Sequence, residues 1–269
     1  MVKKIKGIEY ENHDGYSIFI ISDFSDELKK TIRERLSTVC HGAAKASTGR
    51  LMYCYKTTLK EFVRRYNDKP EKTRKGMIGE LLLHILLTEF LDDYQINSPF
   101  FNLEERSIKK GFDVVLNKKG TLDIWLAEVK SGECPANKTS SQTAVSLINT
   151  AKNDLDNRLN GESLSLWMNA IHGAQVAIDD SRDEKAAIVS ILEEIGDDSS
   201  IDNVSSTAIN AILVGTVFSS MTDRIASQKI ATKYSSVSDS KIFHDVYLIA
   251  IQKETYKAVY DFIESESQQ

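Results

Sequence analysis

The chain has 269 residues, 41% of them hydrophobic and 27% charged, with a net charge of −5 at pH 7. Surface scaling lets a chain of 30.2 kDa bury roughly 73% of its extended surface, which excludes a disulfide-stapled mini-protein and a disordered tail. Three Pro and 13 Gly exclude collagen-like and low-complexity classes, and the acidic balance excludes a histone-like polycation, although a local basic patch can still bind nucleic acid.

In chain order, the N-terminal residues begin basic but carry no apolar run of signal-peptide type, so no secretory leader is expected. Residues 16–22 (YSIFIIS) read as a strand. Residues 25–38 read as a helix with Asp26 and Glu27 in its first turn. Residues 41–50 are small and polar, as in a loop, and 51–66 are helical again. The segment 56–75 holds eight Lys/Arg against three acids, and a soft boundary falls near Pro70. The expected organisation is therefore an N-terminal α/β region, 1–70, followed by a main domain, 71–269.

Residues 76–92 (GMIGELLLHILLTEFLD) predict the strongest helix, apolar almost all round and so buried on most faces. Its charged residues and length do not suit a bilayer span. A strand over 94–103 precedes two more, 112–117 (FDVVLN) and 122–130 (LDIWLAEVK), joined by a turn around Lys118–Thr121. Residues 131–140 form a loop and 141–159 an amphipathic helix. A helical insertion is expected near 163–200. The block 179–202 carries nine Asp/Glu and two basic residues, a solvated acidic face or a partner surface. Residues 211–220 and 246–252 are apolar enough for central strands, and 254–265 close the chain as a helix. The order predicts a mixed α/β fold. Cys40, Cys54 and Cys134 are odd in number and lack CxxC spacing, which argues for free thiols in a reducing, cytoplasmic setting.

Four residues carry the chemistry: Glu80, Asp113, Glu128 and Lys130. Residues two apart on a strand share a face, so Glu128 and Lys130 point the same way. With Lys119 and Gly120 as the central turn residues, Asp113 faces Leu126 and sits diagonal to Glu128. Such neighbours lie about 7–8 Å apart, within reach of one ion. Their apolar flanks (Phe112, Val114, Val115, Leu126, Ala127, Val129) predict interior strands, where carboxylates repel unless a cation joins them. A hard divalent cation suits such oxygens, and Lys130 adds a charge that can orient water. The plainer alternative is a Glu–Lys pair on a solvent-facing strand. Glu80 is the acid of the buried helix's first turns, preceded by Gly76 and Gly79, whose cost in a helix is offset where backbones approach closely. His84, one turn on, reads as a core histidine.

GFDVVL followed by AEVKSGE, with an upstream helix bearing Gly79-Glu80, resembles the PD-(D/E)xK nuclease superfamily over residues 76–160. The resemblance implies a restriction-endonuclease-like core with a mixed central sheet flanked by helices. It implies catalytic Glu80, Asp113, Glu128 and Lys130, with Mg²⁺ (or Mn²⁺) on the three carboxylates. The Pro of the superfamily's name is replaced by Phe112. GMIGELLLHILL, GFDVVL and AEVKSGE, with the chain length, also look like the HamA family of the Hachiman anti-phage system. That likeness implies a DNA nuclease regulated by a HamB-type helicase partner, for which the 179–202 block is a candidate contact. No P-loop, GxGxxG, GxSxG, HExxH or CxxC is present, so any motor belongs to another chain. DNA is expected to dock on the basic side, with Lys109 and Lys110 on its phosphates. The competing functions are a sequence-specific restriction-type endonuclease and a non-catalytic nucleic-acid-binding assembly subunit. A neighbouring methyltransferase gene would favour the former, and purified protein without metal-dependent cutting the latter.

Overall fold

A computed structural model describes residues 4–101, 111–161, 164–201 and 204–269. Among them, seven strands form one mixed sheet: β1 (Ile8–His13), β2 (Tyr16–Ile21), β3 (Tyr94–Ile96), β4 (Val114–Lys118), β5 (Ile124–Glu133), β6 (Asn210–Phe218) and β7 (Val246–Lys253). The spatial order is β1-β2-β7-β6-β5-β4-β3. The inner strands β2, β7, β6 and β5 run parallel, and antiparallel partners close both edges. The parallel strands are near-continuous apolar runs because helices cover both of their faces.

The helices are α1 (Asp26–His41), α2 (Ala43–Ala46), α3 (Tyr55–Asn67), α4 (Glu71–Phe90), α5 (Ser140–Leu159), α6 (Leu164–Ala177), α7 (Lys185–Ser200), α8 (Ser227–Asp239) and α9 (Lys257–Ser267). One core joins α1, α3, α4 and α9 to Trp125, Ala127 and Val129 of β5 and to Ile212 and Val214 of β6. The other joins α5, α6, α7 and α8 to Ile124 and Leu126, and to Ala211 and Leu213. The period of two along each strand thus sorts alternate residues into two helical layers. No described helix is long and apolar enough to cross a membrane.

Several expected segments shift. Residues 8–13 add an edge strand, and α2 lies within the expected 41–50 loop. The central helix starts at Glu71, with Pro70 as its N-cap. Strand β3 is shorter than 94–103, and β5 continues to Glu133 into the expected loop. The N-terminal region and residues 71–269 share one sheet and one core: β2 pairs with β7, and α1 and α3 pack in the same layer as α4. The soft boundary near Pro70 falls inside that layer. Helices α6 and α7 occupy the expected insertion, and Glu193, Glu194, Asp197 and Asp198 of α7 are exposed, as a solvated acidic face requires.

Helix α4 is buried from Ile78 to Leu87, and its two buried acids, Glu80 and Glu89, differ in setting. Glu89 accepts from Arg35 Nε at 2.7 Å. Glu80 lies beside a tight helix–sheet contact. A Cβ on Gly79 would strike Ser131 Oγ and come within 3.0 Å of Ser131 Cβ and 3.3 Å of Thr216 Cβ. Gly76 has open space instead. Only Gly79 therefore serves the close approach expected of both.

Candidate active site

The site is built where β4, β5 and α5 meet. The β4–β5 register pairs Val114 with Ala127 and Val115 with Leu126. Lys118 N donates to Asp123 O at 3.1 Å, so the connection is two residues longer than the expected turn. This slides the register by two, an even shift that keeps every side chain on its face. Continued one residue beyond the ladder, it sets Asp113 directly opposite Glu128 rather than opposite Leu126. Asp113 Oδ2 accepts from Val129 N at 2.7 Å, which fixes the carboxylate just before the first residue of β4.

Glu128 and Lys130 alternate with the Trp125–Ala127–Val129 set and so face α5. That helix begins with an N-terminal capping box, in which Thr139 and Gln142 satisfy each other's backbone amides. Ala144, Ile148, Ala151, Leu155 and Leu159 form its apolar stripe. A Cβ on Gly215 of β6 would come within 2.8 Å of Ala144 O, so only glycine admits the helix at this depth. The stripe's polar neighbours Asp154 and Arg158, one turn apart, are thereby carried over β5.

A charge network results. Glu128, only 2% exposed, accepts from Lys130 Nζ at 2.8 Å on Oε1, and its Oε2 accepts from Arg158 Nη2. Lys130 Nζ also meets Asp154 Oδ2 at 2.7 Å. Arg158 Nη1 donates to Gly111 O at 3.0 Å. Burial pushes the Arg158 guanidinium below its ordinary value, and the nearby Asp113 charge opposes that shift. The structure thus supplies basic partners where sequence reasoning expected carboxylates short of them.

Glu80 approaches from the other layer. It shares with Asp113 a cavity of about 240 Å³, walled by Phe100, Phe101, Gly111 and Phe112. Its charge also reaches Cys40, whose thiol is pushed well up, chiefly by burial, with Arg65 opposing. Arg65 stacks on Phe101, 4.4 Å from the ring centre. Asp113, Glu128 and Lys130 are therefore brought together, and Glu80 lines the cavity beside Asp113. His84 is fully buried, edge-on to Phe100, as a core histidine is. Lys109 and Lys110 lie outside the described residues.

The oxygen chemistry of Asp113 and Glu128 fits a hard divalent ion. Among the described residues, however, no group of three His, Cys, Asp or Glu is placed to hold a metal. The Glu128 carboxylate is instead saturated by the ammonium of Lys130 and the guanidinium of Arg158. Sequence reasoning missed Asp154 and Arg158. Their only signal was an i,i+4 acid–base pair bordering the apolar stripe, which also describes an ordinary solvated helix face.

Three of the eight basic residues of segment 56–75 are ion-paired. Arg64 and Arg65 bond Glu61, and Lys75 bridges Glu71 and Glu133. Arg74 donates to the carbonyls of Tyr66, Asn67 and Lys69, capping the end of α3.

A protein-family model described as HamA matches residues 2–266. No curated protein matches the chain.

Proposed function

The chain belongs to the HamA family, which places it in the Hachiman anti-phage defence system, and we propose that it is that system's nuclease, a phosphodiester hydrolase of PD-(D/E)xK type acting on DNA. The observation that supports this most is the meeting of Asp113 and Glu128 across β4 and β5, with Lys130 two residues on along the same face. Glu128 is buried and Asp113 half-buried, and carboxylates are drawn inside only when paired or used.

Asp113 and Glu128 are the residues that would hold Mg²⁺ or Mn²⁺, which supplies polarisation of a phosphoryl oxygen and a water of lowered pKa. Lys130, fixed between Glu128 and Asp154, holds its ammonium where it can orient an attacking water and balance charge growing on the phosphoryl oxygens. Water adds to phosphorus, one ester P–O bond breaks, and the departing oxygen takes a proton. Glu80 lines the same cavity as Asp113, where it can orient a solvent molecule toward that carboxylate. Substrate DNA is held mainly through phosphates, with Lys109 and Lys110 directly before Gly111 in sequence. The exposed acids of α7 offer a partner helicase a charged surface that would orient its approach.

Plasmid cleavage by the purified chain, with and without Mg²⁺ and with its helicase neighbour, tests the reading. Divalent-dependent cutting that is lost in Lys130→Met, with folding and DNA binding retained, is expected. Equal cutting by Lys130→Met would overturn the assignment. A chain that neither associates with the helicase nor changes its cleavage with helicase and ATP would overturn the partnership.

A further inference from the structure

We propose that Arg158 is a built-in counter-cation that occupies the divalent-ion position of the Asp113–Glu128 pair, so that metal loading requires its withdrawal. The inference rests on the nuclease reading above. The guanidinium gathers the donor set a hard cation takes: the Glu128 carboxylate, the Gly111 carbonyl and, through space, the Asp113 charge. Lys130 does not fill that role, because its ammonium sits on the other oxygen of Glu128 and on Asp154. Removing Arg158 from the pair would leave Glu128 with one cation and an open oxygen, and would free the carbonyl of Gly111.

Geometry makes the exchange feasible. Arg158 stands in the last turn of α5, and its side chain is 27% exposed. Its long stem can carry the head into solvent without moving the helix. A delocalised single charge in place of a compact double charge satisfies the carboxylates but offers no coordinated water. The chain thus keeps its carboxylates paired while idle, which suits a nuclease that must not cut its host's DNA. Two cations cannot share the position, so bound metal and docked Arg158 exclude each other, and each weakens the other by the same factor.

Mn²⁺ binding measured by the loss of the free-ion electron paramagnetic resonance signal tests this without any cleavage assay. Wild type, Arg158→Gln, Arg158→Lys, Asp113→Asn and the Arg158→Gln/Asp113→Asn double variant are compared at one pH and ionic strength, with circular dichroism melts to verify folding. Arg158→Gln is expected to bind Mn²⁺ at least tenfold more tightly than wild type, and the double variant to lose that gain. Arg158→Lys, which keeps a charge but cannot span the carbonyl and the carboxylate together, is expected in between, and it carries the test if the glutamine variant fails to fold. Equal affinity in wild type and the Arg158 variants, abolished by Asp113→Asn, would overturn the inference while sparing the metal site. Folded Arg158 variants that bind no Mn²⁺ would overturn both.

Discussion

Glu128→Gln separates the network's role in folding from its role in chemistry. The substitution keeps the side chain's shape but removes the one negative charge that both Lys130 and Arg158 contact. An amide presents a single acceptor oxygen, so one cation is left facing an NH₂ group. Removing one partner of a buried pair costs about 3–5 kcal/mol. The low end applies here, because Lys130 keeps Asp154 and both cations are 27% exposed. A loss of about 3 kcal/mol at about 2–4 °C per kcal/mol lowers the melting temperature by roughly 6–12 °C. Asp113→Asn should fall much less, since its amide oxygen can still accept from Val129 N. Scanning calorimetry of both variants in EDTA provides the comparison. Glu128→Gln melting with wild type would show that the pairing with Lys130 and Arg158 contributes nothing to stability, and the account of the network would fail.

Gly76→Ala should stabilise the chain by up to about 1 kcal/mol, because nothing obstructs the added methyl in a helix. Gly79→Ala gains the same propensity but meets Ser131 and Thr216, an overpacking cost of about 1–3 kcal/mol, so its urea midpoint should lie below that of Gly76→Ala; equal midpoints would contradict the close approach of α4 to β5. The Glu61 carboxyl is held below its usual range, first by Arg64 and then by Arg65. Its stabilisation is therefore present at neutral pH and lost as pH falls below the unfolded carboxylate value of about 4.3. The melting gap between wild type and Glu61→Gln, under about 1 kcal/mol for so exposed a cluster, should close on acidification; a gap constant from pH 7 to pH 3 would refute it. Neutralising Lys109 and Lys110 together should weaken binding to unrelated duplexes and reduce the salt slope by up to about 2, whereas a loss confined to one DNA sequence would point to base-specific recognition.

The interior of this fold was legible because its parallel strands are unbroken apolar runs and α4 is apolar all round. The edges were not. In β1 only Ile8 and Tyr10 retreat partly from solvent, so the run IEYENH carries no strand period strong enough to read. Helix α8 buries only Ile230 and Val237, with Ala231 and Tyr234 packed partly beside them, a short helical stripe in a polar stretch that is easily passed over. At the site, the identities of Asp113, Glu128 and Lys130 and their common face were readable from strand alternation alone. Their register was not, because the turn residues Lys118–Thr121 suggest a two-residue turn while the backbone closes between Lys118 and Asp123. Asp154 and Arg158 were hidden for a different reason: a polar pair beside an apolar stripe reads as solvent-facing until Gly215 draws α5 close enough to set it over Glu128.

The central claim, that Asp113, Glu128 and Lys130 form a hydrolytic centre, is tested most directly by cleavage of double-stranded DNA by the purified chain across a Mg²⁺ and Mn²⁺ titration, with an EDTA control and the Asp113→Asn variant alongside. The account predicts cutting that requires the divalent ion and is lost in Asp113→Asn while that variant melts close to wild type. Cutting that persists in EDTA, or that Asp113→Asn retains in full at ordinary Mg²⁺, would contradict it.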